Sequence, residues 1–225
     1  MTDVHTHFLR AGAEEWLTEP CNGEARFIGC HPWSFLDGGV SPSGDWLEAM
    51  RERLLADESL GVGEIGLDRL KVREIPDAMR AAFIAQLQLA AELHRPVVLH
   101  GSKCWGQIVK ACEAVIAKYG RGSIPAFLFH GFSRSGGLLP QIVALNGYVS
   151  VGAAVLNDHA VNYRKLVESL PSERLLLETD CTADSAAPSI GEIAVEVARL
   201  RGISLEEIET LVDANAARFM STAFH

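Results

Sequence analysis

The chain lacks any apolar run that approaches the roughly 20 residues a membrane-spanning helix needs, so no membrane association is expected. Its first residues also lack the pattern of a signal peptide, in which a basic stretch precedes an apolar one and a cleavage site, and they already carry Asp3. The sequence therefore predicts a protein that is neither inserted in a membrane nor exported.

The cysteines have no regular spacing. The five cysteines are odd in number, scattered and free of any Cys-x-x-Cys pair: Cys21, Cys30, Cys104, Cys112 and Cys181. Disulfide scaffolds and structural zinc sites have paired, regularly spaced cysteines. We therefore expect reduced thiols, no disulfide, no structural zinc and a cytoplasmic location.

Positive charge is also in short supply. The chain has 20 Lys and Arg against 29 Asp and Glu, a formal net charge of -9, and no Lys/Arg-rich run forms a basic arm. A protein that holds duplex nucleic acid along its length needs an extended basic surface, so such binding is not expected. A small substrate, or a short single-stranded end drawn towards bound metal, is compatible with this charge.

What the chain does have is a regular alternation of short apolar strands and longer amphipathic segments, which is typical of repeated β-α units around a parallel sheet. With 48% hydrophobic residues and no linker-like stretch, residues 1–225 predict one domain. The predicted strands are 3–8, 26–30, 61–65, 96–100, 126–130, 147–151 and 175–179. The predicted helices are 46–55, 77–94, 105–119, 137–144, 159–170, one through Ile190 and Leu200, and one begun by a Ser204–Glu207 capping box.

These elements predict an α/β fold, a distorted (β/α) or TIM barrel. Seven strands are clear, whereas an eighth is hard to find, because only about 45 residues follow Asp180 and two helices with a loop would use them. The barrel is therefore expected to be irregular where it closes.

Metal-ligand residue types stand at the ends of these strands. His5 and His7 are alternate residues of the first strand, so their side chains point the same way and can hold one ion. Later strand ends add one residue each: His31, Glu64, His100, His130 and Asp180. Because the carboxyl ends of parallel barrel strands open on one face, we expect these residues to converge there.

Four imidazoles and two carboxylates are the donors that a two-metal hydrolase needs. Glu64, which has glycines on both sides in the sequence, is the expected bridge between the ions. Asp180 follows a buried apolar run and emerges at the predicted mouth. That placement predicts a metal ligand that also acts as general base on metal-bound water.

Six segments in order and spacing carry a family resemblance: DVHTHF, GCHPW, GEIGLD, PVVLH, FHGFS and LLETD, spanning residues 3–180. Together with Asn215 and Phe219 in the last helix, they make the chain similar to the TatD family of metal-dependent hydrolases, within the amidohydrolase-like TIM-barrel superfamily. The resemblance implies two divalent ions, either Zn, Mn or Mg. One would be held by His5, His7, Glu64 and Asp180, and the other by Glu64, His100 and His130.

The resemblance also implies hydrolysis of phosphodiester bonds, chiefly by a deoxyribonuclease working from DNA ends. His31 matches a family position that lines the substrate site near a phosphate. Lys103 stands where the family has Arg, and the loop after Asp180 is shorter and without Arg. Lys103 and Arg134 are the candidate substrate-binding cations, Arg134 the stronger because it follows His130 closely, and Trp33 and Phe132 are candidates for stacking on a base.

Two acidic residues receive supporting roles. Asp3 is expected to orient a ligand imidazole, and Asp68 to anchor the loop after the third predicted strand.

The leading hypothesis is a dinuclear phosphodiesterase or deoxyribonuclease in which metal-bridging hydroxide attacks and Asp180 accepts a proton. Its substrate would be a small phosphodiester or a single-stranded DNA end, and no obligate protein partner is evident. Two alternatives stay open: an amidohydrolase-like enzyme acting on a small amide or lactone, and a catalytically silent barrel that binds metal or a partner protein.

Overall fold

The protein is described by a computed structural model that covers residues 1–9, 14–21, 23–36, 45–133, 136–182 and 188–223. Within these ranges there are eight strands; the first three follow one another directly, and helical segments separate the later ones. The strands are β1 Thr2–Thr6, β2 Glu14–Leu17, β3 Phe27–Ile28, β4 Gly61–Asp68, β5 Val97–Ser102, β6 Phe127–Phe129, β7 Gly147–Val151 and β8 Leu175–Leu177. All of their pairings are parallel, with β1 beside β2 and with β3 to β8 in one continuous sheet.

Backbone hydrogen bonds join the two sheets at both edges. The Glu19 N–H donates to the Phe27 carbonyl at 3.1 Å, which links the end of β2 to β3. On the other side, the Asp180 N–H donates to the His5 carbonyl at 3.0 Å and the His7 N–H to the Cys181 carbonyl at 2.9 Å. The eight strands therefore close in chain order, and the predicted α/β barrel is confirmed.

The strand that the sequence did not predict is β2, which lies between the first two predicted strands rather than after Asp180. Residues 7–13 alone separate it from β1, fewer than the dozen or so that a crossover with a helix requires. Its four residues also give a weak pattern, because only Trp16 and Leu17 are buried. The irregular eighth strand is therefore this short β2, near the start of the chain.

The helices agree closely with the predicted ones. They are α1 Asp45–Ala56, α2 Asp77–Glu92, α3 Trp105–Tyr119, α4 Leu139–Ala144, α5 Val161–Ser169, α6 Ile190–Arg201 and α7 Leu205–Ala223. The predicted capping box is present, since the Glu207 N–H donates to Ser204 Oγ at 3.1 Å and the Ser204 N–H donates to Glu207 Oε2 at 2.7 Å. No described helix is both long and apolar enough to cross a membrane.

The interior of the barrel positions the site. One apolar cluster contains side chains from α7 and from every strand except β4. In this cluster, the ring centroid of Phe219 lies 5.3 Å from those of Trp16 and Tyr148. Alternate residues of a strand point to the same side of the sheet. A side chain that faces the barrel interior is therefore followed, two residues later, by another inward-facing side chain closer to the mouth. Val98 is followed on this face by His100, and Leu128 by His130.

Candidate metal centre

The six predicted ligands meet around Glu64 at the carboxyl ends of the strands. They are His5, His7, Glu64, His100, His130 and Asp180. The Glu64 side chain is only 4% exposed, and its two oxygens face different neighbours. The site thus has two parts, one on each side of a shared carboxylate.

The first part contains the two imidazoles of β1 and Asp180. Glu64 Oε2 lies 3.7 Å from His5 Nε2 and 3.4 Å from His7 Nε2. Asp180 Oδ1 lies 3.7 and 3.8 Å from the same two nitrogens. Ligand atoms held about 2.0–2.2 Å from a central ion stand about 3.4 Å from one another in a tetrahedron, so these spacings fit one metal position.

Hydrogen bonds behind the two imidazoles define which nitrogen faces the site. His7 Nδ1 lies 2.8 Å from the Thr18 carbonyl, which can only accept, so Nδ1 carries the hydrogen and Nε2 keeps its lone pair. His5 Nδ1 lies 3.1 Å from Thr18 Oγ1, and His5 Nε2 is buried without a hydrogen-bond partner. A buried imidazole nitrogen that faces two carboxylates and has no hydrogen-bond partner of its own is placed as a metal ligand requires.

The second part contains His100 and His130, which both contact the other Glu64 oxygen. His100 Nδ1 lies 2.5 Å and His130 Nε2 lies 2.8 Å from Glu64 Oε1. Each ring has a second carboxylate behind it: His100 Nε2 is 2.9 Å from Asp68 Oδ2, and His130 Nδ1 is 3.4 Å from Glu178 Oε2. These partners turn one nitrogen of each ring towards Glu64.

The electrostatics of Glu64 and His130 are coupled. Burial alone would raise the pKa of Glu64, but the surrounding imidazoles, His130 foremost, hold that pKa well below its usual value. Burial would likewise lower the pKa of His130, but Glu64 and Glu178 raise it well above its usual value. Glu64 is therefore a carboxylate stabilised by positive charge, which divalent cations can supply.

Asp180 differs from the other predicted ligands in being 49% exposed and in having a left-handed backbone, with φ of 49°. Non-glycine residues adopt this conformation rarely, and such residues concentrate at functional sites. Desolvation in the mouth, together with the charges of Glu178 and Glu64, raises the pKa of Asp180 despite the opposing effect of His130. Asp180 is thus a carboxylate that touches both the ligand set and the open mouth.

His31 lies beside the second part, with its Nε2 3.7 Å from Glu64 Oε1. The Trp33 N–H donates to His31 Nδ1 at 3.2 Å, so the neutral ring carries its hydrogen on Nε2. Burial lowers the pKa of His31 to about 4, which favours this neutral form. His31 therefore presents a hydrogen-bond donor at the site.

Three other residues were also predicted to contact the substrate: Lys103, Arg134 and Phe132. Lys103 is exposed after β5, and the described part of the chain gives it no ion pair or hydrogen bond with the metal-ligand set. Arg134 lies outside the described residues. Phe132 is completely buried and packs 5.2 Å from Trp105, so the interpretation of Phe132 as a base-stacking residue is wrong.

Of the two supporting aspartates, Asp3 differs from expectation. Its carboxylate accepts from the Thr179 N–H at 3.0 Å and from Thr179 Oγ1 at 2.6 Å, and so ties β1 to the segment after β8 instead of contacting an imidazole ring. Asp68 accepts from the Leu70 N–H, as a loop anchor should, but it also contacts His100. Both carboxylates are buried.

Glu178 is the residue that the sequence interpretation missed. It is 1% exposed, and it accepts from Ser150 Oγ at 2.5 Å and from the Gly131 N–H at 2.8 Å while facing His130. A charged residue directly after three buried leucines is itself an indication of a site.

An α/β barrel with imidazoles and carboxylates gathered around a buried glutamate at its mouth defines a metal-dependent hydrolase. Comparison with known proteins agrees. The family model described as TatD related DNase matches residues 14–221, and the chain belongs to this family.

Three relatives illustrate the similarity. The metal-dependent hydrolase YabD of Bacillus subtilis is 26% identical over 200 residues, which are 85% of this chain and 75% of YabD. The 3'-5' ssDNA/RNA exonuclease TatD of Cronobacter sakazakii is 30% identical over 218 residues, covering 88% of this chain and 80% of that protein. The crystal structure of YJJV, a TatD homologue from Escherichia coli, superposes with a TM-score of 0.68 at 22% identity, over 86% of this chain and 76% of YJJV.

Proposed function

We propose that this metal-dependent hydrolase is a two-metal phosphodiesterase that cleaves single-stranded DNA or RNA from an end. The observation that carries the proposal is that the two oxygens of Glu64 face different pairs of imidazoles. Oε2 faces His5 and His7, and Oε1 faces His100 and His130. The relative from Cronobacter sakazakii, named as a single-stranded DNA and RNA exonuclease, supports the choice of bond and substrate.

His5, His7, Glu64 and Asp180 would hold one ion, and Glu64, His100 and His130 the other. When bound, two such ions supply an activated water and positive charge opposite the phosphate. Imidazole and carboxylate donors suit Zn or Mn better than Mg on grounds of ligand softness, although availability also decides which ion is bound.

The chain's own residues complete the mechanism. Asp180 reaches both the ligand set and the mouth, so it accepts the proton of the attacking water. His31 donates through Nε2–H to an oxygen of the scissile phosphate. Asp68 and Glu178 hold His100 and His130 in the orientation that faces Glu64.

The test measures metal content and hydrolysis together, using a generic phosphodiester and short end-labelled single-stranded DNA with Mg, Mn and Zn. We expect about two ions per wild-type chain and cleavage of both substrates. Glu64→Ala should lose full metal stoichiometry and activity together, whereas Glu113→Ala, at an exposed position on α3, should match the wild type. Retained activity in Glu64→Ala would overturn the mechanism.

The second candidate, hydrolysis of a small amide or lactone, is favoured by the net charge of -9, which opposes binding of polyanions. Screening amides and lactones beside the phosphodiesters at equal metal concentration separates the two functions. Two ions per chain without phosphodiester cleavage would favour the second. The convergence of all six ligands supports either enzyme over a silent metal-binding barrel.

A further inference from the structure

Trp33 is fixed at the edge of the candidate metal centre. Its Nε1–H donates to Asp68 Oδ2 at 2.9 Å, and the same oxygen lies 2.9 Å from His100 Nε2. The indole also stands edge-on to His31, with ring centroids 4.9 Å apart. Although these contacts hold it against the ligand set, the residue is 43% exposed. A large aromatic ring is therefore held in a defined orientation while it faces solvent.

A short basic segment lies next to this ring. Residues 69–73, with the sequence Arg-Leu-Lys-Val-Arg, directly follow Asp68 and β4. All three cations of the segment are exposed, and Lys71 Nζ lies 3.4 Å from the centroid of the Trp33 ring. In a chain with net charge -9, three positive charges within five residues form a local concentration of positive charge beside the site.

We propose that Trp33 and Lys71 form a nucleotide subsite for a single-stranded polynucleotide, in which the Lys71 ammonium moves off the indole to bind a phosphate and a neighbouring base stacks on the ring face that it leaves. Every base has a π face that can stack on an aromatic ring without sequence preference, and a lysine provides a point charge for a phosphate. The subsite rests on the proposed nuclease function, because a small neutral substrate has neither a base nor a second phosphate to fill it.

The chain offers a matched control for this pair. Lys118 Nζ lies 4.8 Å from the Tyr119 ring centroid, so it is also a lysine over an aromatic ring. That pair stands at the last turn of α3, whereas the first residue of α3 follows the end of β5 at the mouth. Lys118 is thus at the opposite end of the barrel from the site.

The experiment measures binding of a fluorescein-labelled phosphorothioate oligothymidylate to the metal-loaded protein by anisotropy. Trp33→Ala should weaken binding about tenfold, the scale of one lost base–aromatic stack, while Trp33→Phe, which keeps a ring, should recover most of the affinity. Lys71→Ala should reduce the slope of log affinity against log salt by about 0.7, the value for one phosphate contact on a single strand. Lys118→Ala should change neither quantity.

Steady-state cleavage provides the second measurement. In Trp33→Ala and Lys71→Ala, KM should rise more for single-stranded DNA than for a small phosphodiester, which has no base to place on the indole. Circular dichroism and metal content confirm that each variant is folded and loaded.

The outcomes separate the subsite from the proposed function. Unchanged oligonucleotide affinity and salt slope in both variants would overturn the subsite even if the wild type cleaves DNA. A wild type that cleaves neither the DNA nor the small phosphodiester would overturn the proposed function, whatever the binding measurements give.

Discussion

The two parts of the site are built on different supports, although they share Glu64. Behind His5 and His7 stand neutral oxygens of Thr18, at 3.1 and 2.8 Å. Behind His100 and His130 stand the carboxylates of Asp68 and Glu178, at 2.9 and 3.4 Å. A carboxylate behind an imidazole raises its basicity more than a neutral oxygen does, so the second pair are the stronger donors. The two proposed metal positions should consequently differ in affinity and in their dependence on the supporting residues.

The largest expected effect comes from removing a ligand from one part alone. His5→Ala and His130→Ala should each reduce metal content from about two ions to about one, and should reduce hydrolysis by more than the hundredfold that loss of a supporting contact causes. Inductively coupled plasma mass spectrometry and steady-state kinetics measure both. His159→Ala, at an exposed histidine, is the control. Loss of both ions in either variant would mean that the two parts do not bind metal separately.

A smaller effect is expected from the supporting residues, and here the two parts should diverge. Glu178→Gln and Asp68→Asn remove a negative charge behind His130 and His100, and each should weaken the binding of one ion by about 10–100-fold. Thr18→Val removes only a neutral hydroxyl from His5 and should weaken binding less. Isothermal titration calorimetry resolves the two binding events. Equal losses for Thr18→Val and Glu178→Gln would contradict the difference between the two parts.

The smallest effect is expected where a carboxylate lies between cations far from the metal centre. Glu196 contacts Arg164 at 2.5 Å and Arg199 at 2.7 Å, and the hydrogen bond from Arg199 lowers the pKa of Glu196 to about 2. Glu196→Gln should reduce the free energy of unfolding by no more than about 1 kcal/mol at neutral pH and leave metal content unchanged.

The pH dependence of that loss has a definite sign. A carboxylate whose pKa is lower in the folded state stabilises the protein above its unfolded pKa of 4.5, and this contribution fades as pH falls towards 2. The difference between wild type and Glu196→Gln should therefore shrink over that range, as measured by urea unfolding. A difference that grows with acid would contradict the assigned role of the ion pair.

Much of the site could be predicted, because a barrel brings together residues that stand at regular intervals along the sequence. Parallel barrel strands end on one face, so the convergence of His5, His100 and His130 could be predicted without coordinates. The supports could not be assigned, because they depend on which carboxylate faces which ring. Glu178 meets Gly131 across 47 residues of sequence, and no local pattern specifies that contact.

The fold, too, could be predicted only where local sequence patterns specify it. Strands followed by helices were predicted within a few residues, since their hydrophobic periods are distinct. The short β2 was missed because only its last two residues are buried and no helix-length connection precedes it. Asp3 was expected to orient an imidazole, whereas its partner Thr179 is 176 residues away. Contacts between distant strands decided these roles.

The most direct test of the shared role of Glu64 is a crystal structure of the Mn- or Zn-loaded protein with anomalous diffraction data. The arrangement of donors predicts two anomalous peaks about 3.5–4 Å apart, each next to a different oxygen of Glu64. One peak should lie beside His5 and His7, and the other beside His100 and His130. A single peak, or two peaks that do not both contact Glu64, would contradict the two-metal site.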